Sequence, residues 1–293
     1  DPKKNRYQQR DWKSLSPKLL ESGYIERVVD RILEIELVRG ESDTDVSFLA
    51  RAIKEIKGVD YLVKCIQALG KDKLETGYSY GSMSKRSMMS QLLSNTVPSS
   101  DDTQEEFNTK VKVAKFTEKR LIEVAMYAPQ WQRLVQSHLD WEGLESAIWW
   151  LHAHSSQYLN AQKETEIARY SSIPIEEFNQ GAVDVDWFNS IYKVLGKSRW
   201  KLVYDAAKYI SYGNGHTLAK LYADVILKEV KITEVAKRVK EKRNQNYLRV
   251  YGLVPLSKTV PQKDVLKRYN YLQQFLKESK QFGSQRQESE KLA

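Results

Sequence analysis

The sequence has little of what breaks regular structure or staples a chain together. Thirteen glycines and seven prolines in 293 residues are too few for an all-β protein built on many tight turns, so composition favours helices. One cysteine, Cys65, excludes an internal disulfide framework. It sits at an apolar helical position in YLVKCIQALG, where a small buried hydrophobe is the expected role and a nucleophile is not. Sparse cysteine fits a reducing, cytoplasmic setting. No stretch has the length and apolarity of a membrane span. The longest uncharged run, residues 146–162, is full of His, Ser, Gln and Asn. No apolar secretory core lies near the start, so no membrane partner is expected. The chain opens on DPKKNRYQQRDW without an initiator Met and stops at SEKLA inside a helix-like pattern, so it is expected to be a piece of a larger protein.

What is present is helical periodicity. In GYIERVVDRILEIELVRG the residues Ile25, Val28, Val29, Ile32, Ile35 and Leu37 follow a three-and-four spacing up to Gly40. DTDVSFLARAIKEIKG predicts a second helix, with Asp43 or Thr44 as N-cap, and VDYLVKCIQALG a third. Short turns between them predict antiparallel neighbours. NTVPSSDDTQ, residues 95–104, has the composition of a linker. It divides the chain into an N-terminal helical subdomain, 1–100, and a C-terminal helical domain, 101–293. One long helix is expected from Glu105 to Ala128, stopped by Pro129. Further helical patterns follow, ending with a basic helix from Thr233 and another opened by Pro261. No alternating strand pattern exceeds about five residues. The fold class is therefore all-α: an irregular stack of antiparallel helix pairs, with a HEAT-like α-solenoid as its extended form. A fixed repeat period is absent.

The stretch SAIWWLHAHS, residues 146–155, has the look of a site. His152 and His154 would share a metal on a strand, where residues two apart face one way. On a helix they lie about 200° apart. His152 then aligns with Glu145, Ile148 and Trp149, and His154 with Trp150 and Tyr158. Packed histidines that hydrogen-bond locally are the favoured reading, with no metal and no cofactor. The competing reading is an enzyme with a pocket around His152, His154 and Tyr158, served by a carboxylate such as Glu123, Asp140, Glu142 or Glu145. No catalytic residue is assigned. GNG at 213–215 fits a turn between helices, and DVDW at 184–187 fits helix capping by an aspartate.

The formal net charge of +9 is concentrated. Residues 231–280 hold thirteen Lys/Arg against four Asp/Glu, and the rest of the chain is balanced. Lys237, Arg238, Lys240, Lys242, Arg243, Arg249, Lys267 and Arg268 are the candidate contacts to DNA or RNA, with Tyr247, Tyr251, Tyr269 and Tyr271 interleaved. On helical spacing the charges of 237–243 spread around the helix instead of forming one stripe.

The segments AMYAPQWQRLV, LDWEGLESAIWWLHAHS, VPLSK and LKRYNYLQQFLKESKQFGSQRQESEKLA resemble the large bacterial proteins called MolR-like, or molybdate metabolism regulator-like. The resemblance covers residues 115–293, and the first hundred residues by continuity. It implies a long multidomain cytoplasmic protein with HEAT-like helical regions. A small WGR domain linked to nucleic-acid biology often accompanies them, but no WGR motif occurs here. No catalytic residues carry over. The expected function is a non-catalytic helical scaffold or interaction module whose partners are other domains of the same larger chain, or another protein. The alternative is a module binding nucleic acid through residues 231–280.

Overall fold

The computed structural model describes residues 22–77, 83–155, 159–211 and 213–293. The protein is all-α: sixteen α-helices and two two-residue strands occur among the described residues. The chain forms two compact units, Asp1–Ala114 and Lys115–Ala293.

In the first unit the helices are α1 (Tyr24–Leu37), α2 (Ser47–Ala50), α3 (Val59–Leu69), α4 (Lys85–Asn95) and α5 (Gln104–Ala114). The apolar stripe of α3 buries Leu62, Cys65, Ile66 and Leu69, and the helix packs against α4 and α5. Burial pushes the Cys65 thiol up to about 12, so at neutral pH it is a protonated core residue. Strands β1 (Ile56–Lys57) and β2 (Thr96–Val97) pair in parallel. The linker-like segment 95–104 is therefore part of this unit. Asp102 fastens it further by accepting from the Val59 N–H at 3.0 Å and the Ser99 N–H at 2.8 Å. For that reason the compact unit runs on to Ala114, past the expected division near residue 100.

One buried ion pair organises the start of this unit. Glu36 and Arg39 are both buried, joined at 2.9 Å. Glu36 also accepts from the hydroxyls of Ser47, at 2.7 Å, and Thr44. Arg39 donates onward to the Met83 carbonyl at 2.7 Å and to Asp43 at 3.2 Å. Asp43, one of the two expected N-caps with Thr44, is thus held between Arg39 and Arg51, and the helix predicted over residues 43–58 shrinks to the single turn of α2. The demand to satisfy a buried charge overrides the local helix signal.

The second unit contains α6 (Glu118–Tyr127), α7 (Gln132–Leu139), α8 (Leu144–Ala153), α9 (Ala161–Ile167), α10 (Ile175–Gln180) and α11 (Val185–Ala206). It continues with α12 (His216–Ile226), α13 (Ile232–Lys242), α14 (Gln245–Leu253), α15 (Pro261–Ser279) and α16 (Ser284–Leu292). The long helix expected over 105–128 breaks because Lys115 turns left-handed (φ 55°) and Thr117 caps α6, accepting from the Arg120 N–H at 3.2 Å. The single basic helix expected from Thr233 breaks likewise at Arg243 (φ 44°), where Asn244 caps α14. Gly196 (φ 69°, ψ 174°) kinks α11, a backbone setting that glycine adopts without a Cβ penalty. The centre of the unit is α8, on which every residue except Ser146 is buried. A helix that is apolar nearly all round must be enclosed, and α7, α9, α11 and α12 pack around it.

Replacing Arg39 by Ala should destabilise the first unit by about 3–5 kcal/mol, because Glu36 is left charged and buried. Amide hydrogen exchange in α1 and α3 measures this; protection unchanged from wild type would show that the pair contributes nothing.

Candidate functional site

Both histidines of the WWLHAH stretch lie on or just after α8, and both rings are enclosed: His152 is 2% exposed and His154 3%. The His154 ring stacks on Trp150 (centroids 4.2 Å apart) and meets Phe178 (5.0 Å) and Tyr222 (5.9 Å) edge-on. Its two nitrogens are both used. Nδ1 lies 2.7 Å from the Trp150 carbonyl, and Nε2 accepts from the Asp184 N–H at 3.2 Å. That pair of partners fixes the neutral tautomer with the proton on Nδ1. His152 donates from Nε2 to the Met126 carbonyl at 3.3 Å. Burial depresses both imidazoles, His152 to about 3 and His154 to about 4. The positive charge of Lys163 pushes His152 further in the same direction. The rings face different neighbourhoods, as helical spacing predicts. Tyr158 lies outside the described residues.

Asp184 is the junction of this core. It caps α11 by accepting from the Trp187 N–H at 2.8 Å, as the DVDW pattern suggests. Its second carboxylate oxygen accepts from Ser171 Oγ at 2.6 Å, and its carbonyl accepts from Trp150 Nε1 at 3.0 Å. One residue therefore satisfies two aromatic side chains of α8, a hydroxyl before α10 and a helix start.

Beside His152 the surface opens into a cavity of about 410 Å³. Trp149, which contacts the His152 ring at 5.3 Å, forms part of its wall. Glu145 and Arg133 face each other there at 3.3 Å, and Arg133 lies 3.6 Å from Glu166. Glu145, one of the carboxylates considered as a partner for the histidines, is thus held by Arg133. Lys163 also lines the cavity, and burial lowers its ammonium below the ordinary lysine range. The cavity draws on four places in the chain: the turn before α7, α7 itself, α8, and α9 with the residue before it. Gln132, Asn160 and Lys163 carry no recognisable spacing, and the sequence offers no signal for them. Among the described residues no group of three or more His, Cys, Asp or Glu could hold a metal ion.

The basic segment separates into two populations. Nine lysines and Arg238 are exposed, whereas only Glu234 and Glu241 of the four acidic residues are. Lys237, Arg238, Lys240, Lys242 and Lys267 belong to this outward set, and Lys237 makes a loose pair with Glu241 at 3.8 Å. Three of the predicted contacts turn inward. Arg268 is 6% exposed, bonded to Asp264 at 2.9 Å and to backbone carbonyls including that of Pro255 at 3.2 Å. Arg243 bonds Glu290 at 3.0 Å and the Phe275 carbonyl at 3.0 Å, its guanidinium lying 3.9 Å from the Phe275 ring centre. These arginines hold the Asp264 and Glu290 carboxyls below the usual range. The Arg249 side chain lies across Gly181 (φ 101°), where an added Cβ would meet its Cδ at 2.8 Å. Composition counts all thirteen cations alike; only the fold distinguishes internal arginines from external lysines.

The molecule is thus an all-α protein of two helical units, with an aromatic–histidine core, a polar cavity and a lysine-rich surface in the second. It belongs to DUF5724, a family of unknown function whose family model matches residues 2–293. No curated protein and no solved structure matches the chain.

The buried histidines predict a pH dependence. Each binds a proton in the unfolded chain near pH 6.5 but resists it when folded, so stability is full above that value and falls as pH falls toward 4. Between about pH 7.5 and pH 5 the loss should be about 2 kcal/mol per histidine. Urea unfolding followed by tryptophan fluorescence at the two pH values measures it, and a His152→Gln variant should lose about half the slope. A pH-independent midpoint would contradict the assignment.

Proposed function

We propose that this chain is a non-catalytic helical interaction module of a larger, cytoplasmic bacterial protein, acting by surface contact. The resemblance to MolR-like proteins supports the setting, and a HEAT-like stacking of helix pairs is the architecture that goes with it. The observation that carries the reading is an apolar strip on the first turns of α15: Val265, Leu266 and Tyr269 are 50%, 59% and 58% exposed and line an open cleft with Pro261 and Gln262. Leu256 and Val260 are also exposed on the preceding loop. A contiguous apolar patch rimmed by lysines suits a protein partner with an apolar stripe and acidic flanks.

Val265→Asp and Leu266→Asp change exposed positions and should alter folding stability by no more than about 0.5 kcal/mol. They should abolish co-purification of the partner with the full-length protein from its host cells, while helicity by circular dichroism stays that of wild type. An unchanged set of co-purifying proteins would remove this strip as the interaction face.

A second reading, contact with DNA or RNA, is favoured by the ten exposed cations against two exposed carboxylates on residues 231–280. Lysines are point charges without the fork of arginine, so such contact would be to phosphates and insensitive to sequence. Tyr269, 58% exposed on the same helix as Lys263 and Lys267, suits stacking on an unpaired base. Fluorescence anisotropy with single-stranded oligonucleotides should give affinity that falls steeply between about 50 and 200 mM salt. Converting Lys237, Arg238, Lys240 and Lys242 to Gln should reduce the slope of log K against log salt by about 3. A slope unaffected by these changes would exclude this surface.

A further inference from the structure

In the second unit, two of the buried polar atoms that lack partners belong to residues of one cavity. Trp149 and Gln132 both line the cavity beside α8. The indole Nε1 of Trp149 and the carboxamide Oε1 of Gln132 lie beneath its wall, buried and without a hydrogen-bond partner. A buried polar atom left unpaired costs free energy, and two of them in one wall point to something that the chain does not supply.

Their polarities are opposite. An indole N–H only donates, and a carboxamide oxygen only accepts. Gln132 is held this way round because its Nε2 donates to the Ala125 carbonyl at 3.4 Å. Turning the amide over would set oxygen against oxygen. A carboxylate or phosphate only accepts and would leave Gln132 unsatisfied; an ammonium group only donates and would leave Trp149 unsatisfied. A hydroxyl does both.

The charges lining the cavity are balanced: Arg133 and Lys163 are matched by Glu145 and Glu166, with Arg133 bonded to Glu145 at 3.3 Å. Net charge therefore selects neither an anion nor a cation. Gln130, Asn160 and Gln162 complete the polar lining. Asn160 accepts from the Lys163 N–H at 3.0 Å as it caps α9, and Gln162 carries a donor and an acceptor side by side, the arrangement that two neighbouring hydroxyls complement. A volume of about 410 Å³ lies in the range of small-molecule sites.

We propose that this cavity binds a neutral polyhydroxylated molecule of about monosaccharide size, whose hydroxyls satisfy Trp149 Nε1 and Gln132 Oε1 and meet the carboxamides of Asn160 and Gln162. The site is separate from the interaction surface of α15 and does not depend on it.

The test uses the full chain with glucose, galactose, mannose, N-acetylglucosamine and myo-inositol as probes. Glucose 6-phosphate and glucuronate serve as charged comparators. Saturation-transfer NMR and tryptophan fluorescence titration report binding. At least one neutral probe should bind saturably and in preference to the charged ones. Gln162→Ala, at an exposed position that leaves the fold intact, should weaken it about tenfold, the equivalent of one lost hydrogen bond. Trp149→Phe keeps the ring and removes the N–H, and should do the same; where it does not fold, Gln162→Ala decides. No saturable binding of any neutral probe would overturn the proposal. So would preference for a charged comparator, or affinity unchanged in Gln162→Ala.

Discussion

The hydrogen bond from the Asp184 backbone N–H to His154 Nε2 is the contact on which the second unit depends. It requires the imidazole to be neutral, and so requires burial from water strong enough to outweigh the nearby Asp184 carboxylate. Trp150, Phe178 and Tyr222 supply the shield, and each aromatic contact contributes about 0.5–1.5 kcal/mol beyond its burial. In return, Asp184 starts α11 in register with α8, because its carbonyl takes the Trp150 indole and its carboxylate takes the Trp187 N–H in the first turn of the helix. The histidine that invites a catalytic reading is therefore occupied at both nitrogens by the backbone. Its chemistry is spent on joining two helices.

The same logic governs the charged residues. Glu36 with Arg39, Asp264 with Arg268 and Glu290 with Arg243 are ion pairs drawn inward, each completed by hydroxyls, backbone carbonyls or a second arginine. Buried pairs of this kind add little net stability but penalise any packing that separates them. Arginine, with its planar fork, takes these internal posts, and lysine is left on the outside. This division gives residues 231–280 a basic surface.

Local periodicity made the helices of the sequence legible, and it also placed His152 and His154 on different sides of one helix. The capping role of Asp184 was legible too, since an aspartate before an apolar helical run satisfies exposed N–H groups. Where the sequence misled, a single residue outweighed the pattern. Thr117 and Asn244 are strong N-caps embedded in continuous helical periodicity, and each splits a predicted helix in two. Asp43, read as a cap, was claimed by Arg39 and Arg51 instead. Of the cavity beside His152, Glu145 and Trp149 were among the residues the sequence aligned with that histidine, but the carboxamides were not legible. Its carboxamides come from the turn before α7, from α7 and from around α9, and amide side chains carry no spacing rule.

The second unit is built around this aromatic core, and the neutrality of His154 is the claim at its centre. Long-range nitrogen–proton NMR of the imidazole rings tests it most directly. His154 should show the Nδ1-protonated neutral tautomer unchanged from about pH 8 down to about pH 5. A ring that titrates near pH 6.5, or one that carries its proton on Nε2, would contradict it.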